Sequence, residues 1–157
     1  MEVIKRSTDY SVRSLIYMAC CRNKEIFDLN SIAKKFNIPQ GFLHKLFQKL
    51  SRAGIVNSHR GRNGGFSLAK DPSEISLGSI IEVLQGPILF NHCLEEKNIC
   101  DRSGACSFQQ KLNVLQEDVA DFFKRNTLKD LADTETSLAE KTEKEIVNEL
   151  SCSPSWL

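Results

Sequence analysis

The sequence predicts a mainly α-helical chain with one small β-hairpin wing: a winged helix-turn-helix domain followed by a long dimerisation helix. Three observations carry that prediction. Residues 29–68 read as two short helices, a turn and a glycine-rich hairpin. The second of those helices and the hairpin loop are both basic. From Ser107 onward, apolar residues recur at alternating four- and three-residue steps, a heptad-like seam.

The elements follow in order. Residues 5–22 are expected to form a first helix, capped by Ser7 or Thr8, with Val12, Leu15, Ile16 and Ala19 as its buried stripe. Asp9 falls in its first turn, where a carboxylate meets the helix dipole favourably. Cys20 and Cys21 on its last turn read as core packing, since free cysteine behaves as a small hydrophobe. Asp28 or Asn30 can cap the next helix, whose Ile32, Ala33 and Phe36 recur at helical spacing; Ile38-Pro39 stops it. The second helix of the pair places Phe42, Leu43, Leu46, Phe47 and Leu50 inward, and Gln40, His44, Lys45, Gln48, Lys49 and Arg52 outward. Gly54 ends it with a left-handed cap.

Ile55-Val56 and Phe66-Ser67-Leu68 then read as short strands joined by HRGRNGG, whose three glycines suit positive backbone angles. Arg60, Arg62 and Asn63 sit at its tip. In such a device the second helix lies in the major groove of DNA and the wing can bring arginine to the minor groove. Gln40, His44 and Gln48 could read base edges, Lys45, Lys49 and Arg52 meet phosphates, and Arg60 and Arg62 are the minor-groove candidates.

Residues 71–86 form a further helix with Ser76 as N-cap, Leu77, Ile80, Ile81 and Leu84 as its stripe, and Gly86-Pro87 as its stop. A polar cysteine-bearing loop occupies residues 87–106. The helix from Ser107 to about residue 131 sets Phe108, Leu112, Leu115, Val119 and Phe122 on one seam. The winged domain already supplies a core, so the seam is expected to pair with a second copy of itself, making a homodimer. The chain therefore divides into a DNA-binding domain over 1–86, a loop over 87–106, a dimerisation helix over 107–132 and an acidic, mobile tail over 133–157 with a marginal helix around 138–150.

Charge supports this division. Residues 1–70 hold 13 Lys and Arg against 4 Asp and Glu, whereas residues 71–157 hold 8 against 16. The first half suits a polyanion, and the second half avoids one. No apolar run approaches a membrane span and the N-terminus lacks the apolar core of a signal peptide, so the chain is expected in the cytoplasm with no membrane partner. No Ser/His/Asp or paired-carboxylate constellation is legible, and no phosphate-cradling loop follows a strand, so an enzyme is not expected.

Cys93, Cys100 and Cys106 are spaced C-x6-C-x5-C between two helices. Zinc sites pair cysteines at spacings of two to four residues, which this loop lacks. Wider spacing suits a polynuclear cluster, although a redox pair with a spare thiol or three buried thiols fit the spacing too.

Here the chain resembles a family: the winged-helix transcription regulators that include IscR, NsrR and CymR. The matching segments are TDYSVRSL, FLHKLFQKLSRAGIV, RGRNGGFSLA and ISLGSIIEVLQGP, followed by the three-cysteine loop and the long helix; together they cover about residues 1–130. The resemblance implies a homodimer on double-stranded operator DNA. It also implies an iron–sulfur cluster of two or four irons ligated by Cys93, Cys100 and Cys106. IscR-like members place a histidine three residues after the last loop cysteine, where this chain has Gln109. NsrR-like members use an aspartate of the partner subunit's first helix, which Asp9 matches, with His92 as its rival. CymR-like members lack the loop thiols. The implied function is a transcriptional repressor whose operator affinity follows a cluster that senses redox state, nitric oxide or iron. The alternative is a cluster-free thiol–disulfide switch on the same loop.

Overall fold

In the computed structural model the described residues are 3–21, 25–62, 64–94 and 105–151. Helix α1 (Arg6–Cys20) leads into α2 (Leu29–Lys35) and α3 (Gln40–Arg52), then strands β1 (Val56–His59) and β2 (Gly65–Leu68). Helix α4 (Leu77–Gln85), α5 (Ser107–Arg125) and α6 (Leu128–Ser151) complete the chain, with short 3-10 turns at Pro72–Glu74 and His92–Leu94. Among the described residues no helix is long and apolar enough to cross a membrane.

Local sequence explains the helix-turn-helix. Asp28 caps α2, its carboxylate accepting from the Asn30 and Ser31 amides at 3.1 Å each. Asn37 ends it at a φ of 52°, and the Ile38 amide returns to the Ala33 carbonyl at 2.8 Å. Helix α3 ends the same way: Gly54 has a φ of 71° and the Ile55 amide reaches the Leu50 carbonyl at 3.0 Å. Both are Schellman closures, in which a residue tolerant of the left-handed region releases the chain at a fixed angle. Leu43, Leu46, Phe47 and Leu50 are buried against Leu15, Leu29 and Ile32. Phe42 departs from the expected stripe: it lies at the edge of the buried face, 41% exposed, with Tyr10 of α1 edge-on to its ring.

The first helix also corrects an expectation. Lys5 is its N-cap, without a side-chain cap bond, and Thr8 is fully buried. Instead of capping, Thr8 Oγ1 donates to Gln85 Oε1 of α4 at 2.8 Å, and the Lys5 amide donates to the same oxygen at 2.9 Å. The buried face of α1 accordingly runs through Thr8, Ser11, Leu15, Met18 and Ala19, leaving Val12 and Ile16 half-buried.

The wing is an antiparallel pair with Val56 opposite Leu68 and His59 opposite Gly65. Phe27 adds a third layer, exchanging backbone hydrogen bonds with Phe66 at 2.8 and 2.9 Å. Of the three loop glycines, Gly61 alone has a positive φ, at 108°. Gly65 is required by space instead: a Cβ there would lie 2.2 Å from the Phe27 carbonyl oxygen.

The single helix expected from Ser107 to residue 131 is two helices. The backbone at Asn126 and Thr127 leaves helical geometry to pair with the extended segment before α4. The Leu77 amide donates to the Asn126 carbonyl at 2.9 Å and the Leu128 amide to the Ile75 carbonyl at 2.8 Å. Leu128 and Ala132 are thereby buried in the winged-domain core, a fully buried leucine contributing about 2 kcal/mol. Thr127 and Asp130 form a capping box that restarts the helix: the Thr127 amide and hydroxyl donate to Asp130 Oδ2 at 2.8 and 2.7 Å. Helix α6 then continues through Ser151, beyond the short helix expected in the acidic segment.

Candidate functional site

The outward face of α3 is basic and open. Gln40, Lys45, Gln48, Lys49 and Arg52 are all exposed, as the spacing predicts. His44 is half-buried and engaged: its Nε2 lies 3.4 Å from Asn30 Oδ1, and its ring stands edge-on to Phe66 at 6.2 Å. It ties α3 to α2 and the wing rather than standing free among the glutamines. Arg60 and Arg62 are exposed on either side of Gly61, and the loop is closed by the Gly64 amide donating to the Gly61 carbonyl at 3.0 Å. Asn63 lies outside the described residues. Across the wing, His59 Nε2 and Ser67 Oγ are 2.8 Å apart, which couples the two strands.

The described start of the cysteine loop, residues 88–94, is held along α5. Cys93 sits on the 3-10 turn His92–Leu94 and Cys106 is the N-cap of α5; both thiols are free and half-buried. Gln109 Nε2 donates to the Cys93 carbonyl at 2.8 Å, which brings that turn to the first turn of α5. Seven residues on, Gln116 repeats the device, its Nε2 donating to the Ile88 carbonyl and its Oε1 accepting from the Phe90 amide at 3.4 Å. A heptad separation puts both amides on one flank of the helix. That spacing was visible in the sequence, but a glutamine on a helix gives no warning of what it will bond.

Cys100 lies outside the described residues, as does the side chain of His92. Among the described residues no three Cys, His, Asp or Glu side chains converge on a metal-sized centre. Asp9 is half-buried on α1, and its carboxylate pairs with Arg13 at 3.0 Å. Cys20 and Cys21 pack as expected. Burial pushes the Cys20 thiol's pKa up, and Cys20 Sγ lies 3.7 Å from the Ala132 carbonyl of α6. Cys21 hydrogen-bonds Tyr17, a contact that raises the tyrosine's pKa.

On the other flank of α5, Phe108, Leu115 and Phe122 stand 65%, 43% and 52% exposed, while Leu112 and Val119 are half-buried. No described residue of α5 is fully buried. Helix α5 touches its own domain through α4, where the Phe123 backbone lies 3.5 Å from the position of a Cβ on Gly78.

The profile of the Rrf2 family, described as iron-dependent transcriptional regulator, matches residues 4–134. The HTH-type transcriptional regulator NsrR of Bacillus licheniformis is 34% identical over 125 residues, covering 79% of this chain and 87% of NsrR. CymR, the global cysteine regulator of B. subtilis, superposes with a TM-score of 0.69 at 30% identity, over 85% of this chain and 98% of CymR. T. potens IscR superposes with a TM-score of 0.67 at 24% identity, over 84% and 87%, and supports the fold alone. Relatives of this kind regulate transcription; they are not enzymes.

Proposed function

Because the chain belongs to the Rrf2 family of transcriptional regulators, we propose that it is a homodimeric repressor whose affinity for operator DNA is set by an iron–sulfur cluster on Cys93, Cys100 and Cys106. The observation that carries this reading is the attachment of the cysteine loop to α5 through Gln109 and Gln116. One flank of that helix holds the loop and another carries the exposed apolar seam, so whatever moves the loop bears on the seam.

The donor set fits such a group. Two free, half-buried thiols stand at the head of α5, and soft thiolates are the ligands that iron–sulfur centres take. Asp9 of the partner subunit is the fourth-ligand candidate. Its pair with Arg13 is exposed and weak, about 0.3–0.5 kcal/mol for an i,i+4 pair, so little opposes its release. A bound cluster supplies a centre that oxygen, nitric oxide or iron shortage alters.

The chain's own residues do the rest. With the loop held, Gln109 and Gln116 fix α5 against the segment that follows α4. Phe108, Leu112, Leu115, Val119 and Phe122 meet their symmetry mates and set the distance between two copies of α3. Recognition helices on successive half-sites are about 34–36 Å apart, so a small tilt at the seam misplaces one of them. A coupling of about 1–3 kcal/mol between loop and operator is enough for regulation.

The test is anaerobic DNA binding by the full chain. Operator affinity that changes on iron chelation and is insensitive to dithiothreitol supports the cluster. Affinity that follows dithiothreitol and ignores chelation transfers the role to a thiol–disulfide switch. Absence of salt-dependent duplex binding in any form removes the DNA reading itself.

A further inference from the structure

Down the middle of the outward face of α3 run Gly41, Lys45, Gln48 and Arg52, at four-, three- and four-residue steps. A Cβ placed on Gly41 meets nothing within 4 Å, so the backbone of the first turn is bare. The first turn of a recognition helix is the part that contacts base edges. Beside Gly41, Phe42 is 41% exposed, and its ring is held edge-on by Tyr10 at 6.3 Å between centroids and 85° between planes. Phe42 shares a strip of the helix with Lys45 and Lys49, three and seven residues on, both exposed.

This arrangement matches one mark of the major groove. Thymine alone presents a methyl group there, whereas the other base edges present donors and acceptors. That methyl stands near the wall of the groove, beside the phosphates of its own strand. A strip bearing an aromatic ring at its head and two lysines behind it offers apolar surface to the methyl and charge to the adjoining phosphates. We propose that Phe42 is a specificity residue that reads thymine by packing on its 5-methyl group, with Tyr10 fixing the ring. The proposal rests on the DNA-binding reading above and adds the chemistry of one base position to it.

The experiment uses the full chain in its tighter-binding state and a duplex selected from random sequence. Each thymine of that duplex is replaced in turn by uracil, which removes only the methyl. Wild-type binding is expected to weaken about fourfold at one thymine per half-site, the worth of one buried methyl. Phe42→Ala should be blind to that replacement, and Phe42→Leu, which keeps apolar surface, should retain part of it. Equal sensitivity in wild type and Phe42→Ala, or no sensitive thymine at all, overturns the proposal while leaving the regulator reading intact. If Phe42→Ala does not fold, the Phe42→Leu comparison and the wild-type uracil scan still decide. Failure of the wild type to select any duplex removes the underlying reading instead.

Discussion

Gln109 holds Cys93 by its main chain, its amide nitrogen donating to the Cys93 carbonyl at 2.8 Å across sixteen residues of sequence. Gln109, three residues after Cys106, thus supports the start of the cysteine loop. Gln109→Ala should release a bound cluster faster. Partners behind the ligands are typically worth about 10-fold or more in metal affinity. The rate of iron loss to a chelator under anaerobic conditions measures it. Gln109→Glu, which keeps the shape and lacks the donor, should behave like the alanine variant; wild-type rates in both would separate this bond from cluster retention.

The exposed seam makes a second prediction. Leu115→Asp or Phe122→Asp places a charge on a face that is open in the single chain, so each protomer should fold unaided, with stability changed by less than about 0.5 kcal/mol. Sedimentation velocity should then report monomers and operator affinity should collapse. A variant that remains dimeric would show that α5 is not the interface.

The wing depends on Gly65. A methyl there would lie 2.2 Å from the Phe27 carbonyl oxygen, a backbone atom, so side-chain adjustment cannot relieve it. Gly65→Ala should destabilise the chain by about 1–3 kcal/mol, the usual scale of overpacking, measured by thermal or urea unfolding. Gly61→Ala meets no clash but must adopt a φ of 108°, so it should disturb the loop and Arg60–Arg62 geometry more than global stability.

The start of α6 should respond to acid. The Thr127 hydroxyl and amide hold the Asp130 carboxyl below the usual aspartate range. A depressed carboxylate contributes stability above its unfolded pKa, about 3.9, and loses it as pH falls through the lower folded value. Thr127→Ala should lower stability at neutral pH and should flatten the acid limb of the stability curve. An acid limb unchanged in this variant would place the titration elsewhere.

The parts of the fold that were legible in the sequence are those decided locally. Asp28, Gly54, Ser76 and Gly86 cap or end their helices through their own side chains or backbone angles, whereas the helix that Ile38-Pro39 was expected to stop ends at Asn37. The parts that were not legible depend on distant partners. The apolar seam stops at Phe122, yet the helix was expected to run on to about residue 131; what breaks it is a backbone pairing with residues 75–77. The capping box at Thr127 and Asp130 was its one written sign. Phe42 reads as core by spacing and stands 41% exposed at the edge of the buried stripe, with the Tyr10 ring edge-on against it. Thr8 reads as a cap and serves Gln85 instead. At the candidate site, the residue types were legible from position alone, while the glutamines that hold the loop were not.

The most direct measurement of the cluster is a visible absorption spectrum of the anaerobically purified chain, with iron and acid-labile sulfide analysis. A cluster on Cys93, Cys100 and Cys106 should give broad visible absorption with matching iron and sulfide, both lost in Cys100→Ala, and an altered spectrum in Asp9→Ala. A colourless protein that takes up no iron even after reconstitution would contradict it and leave the thiol switch in its place.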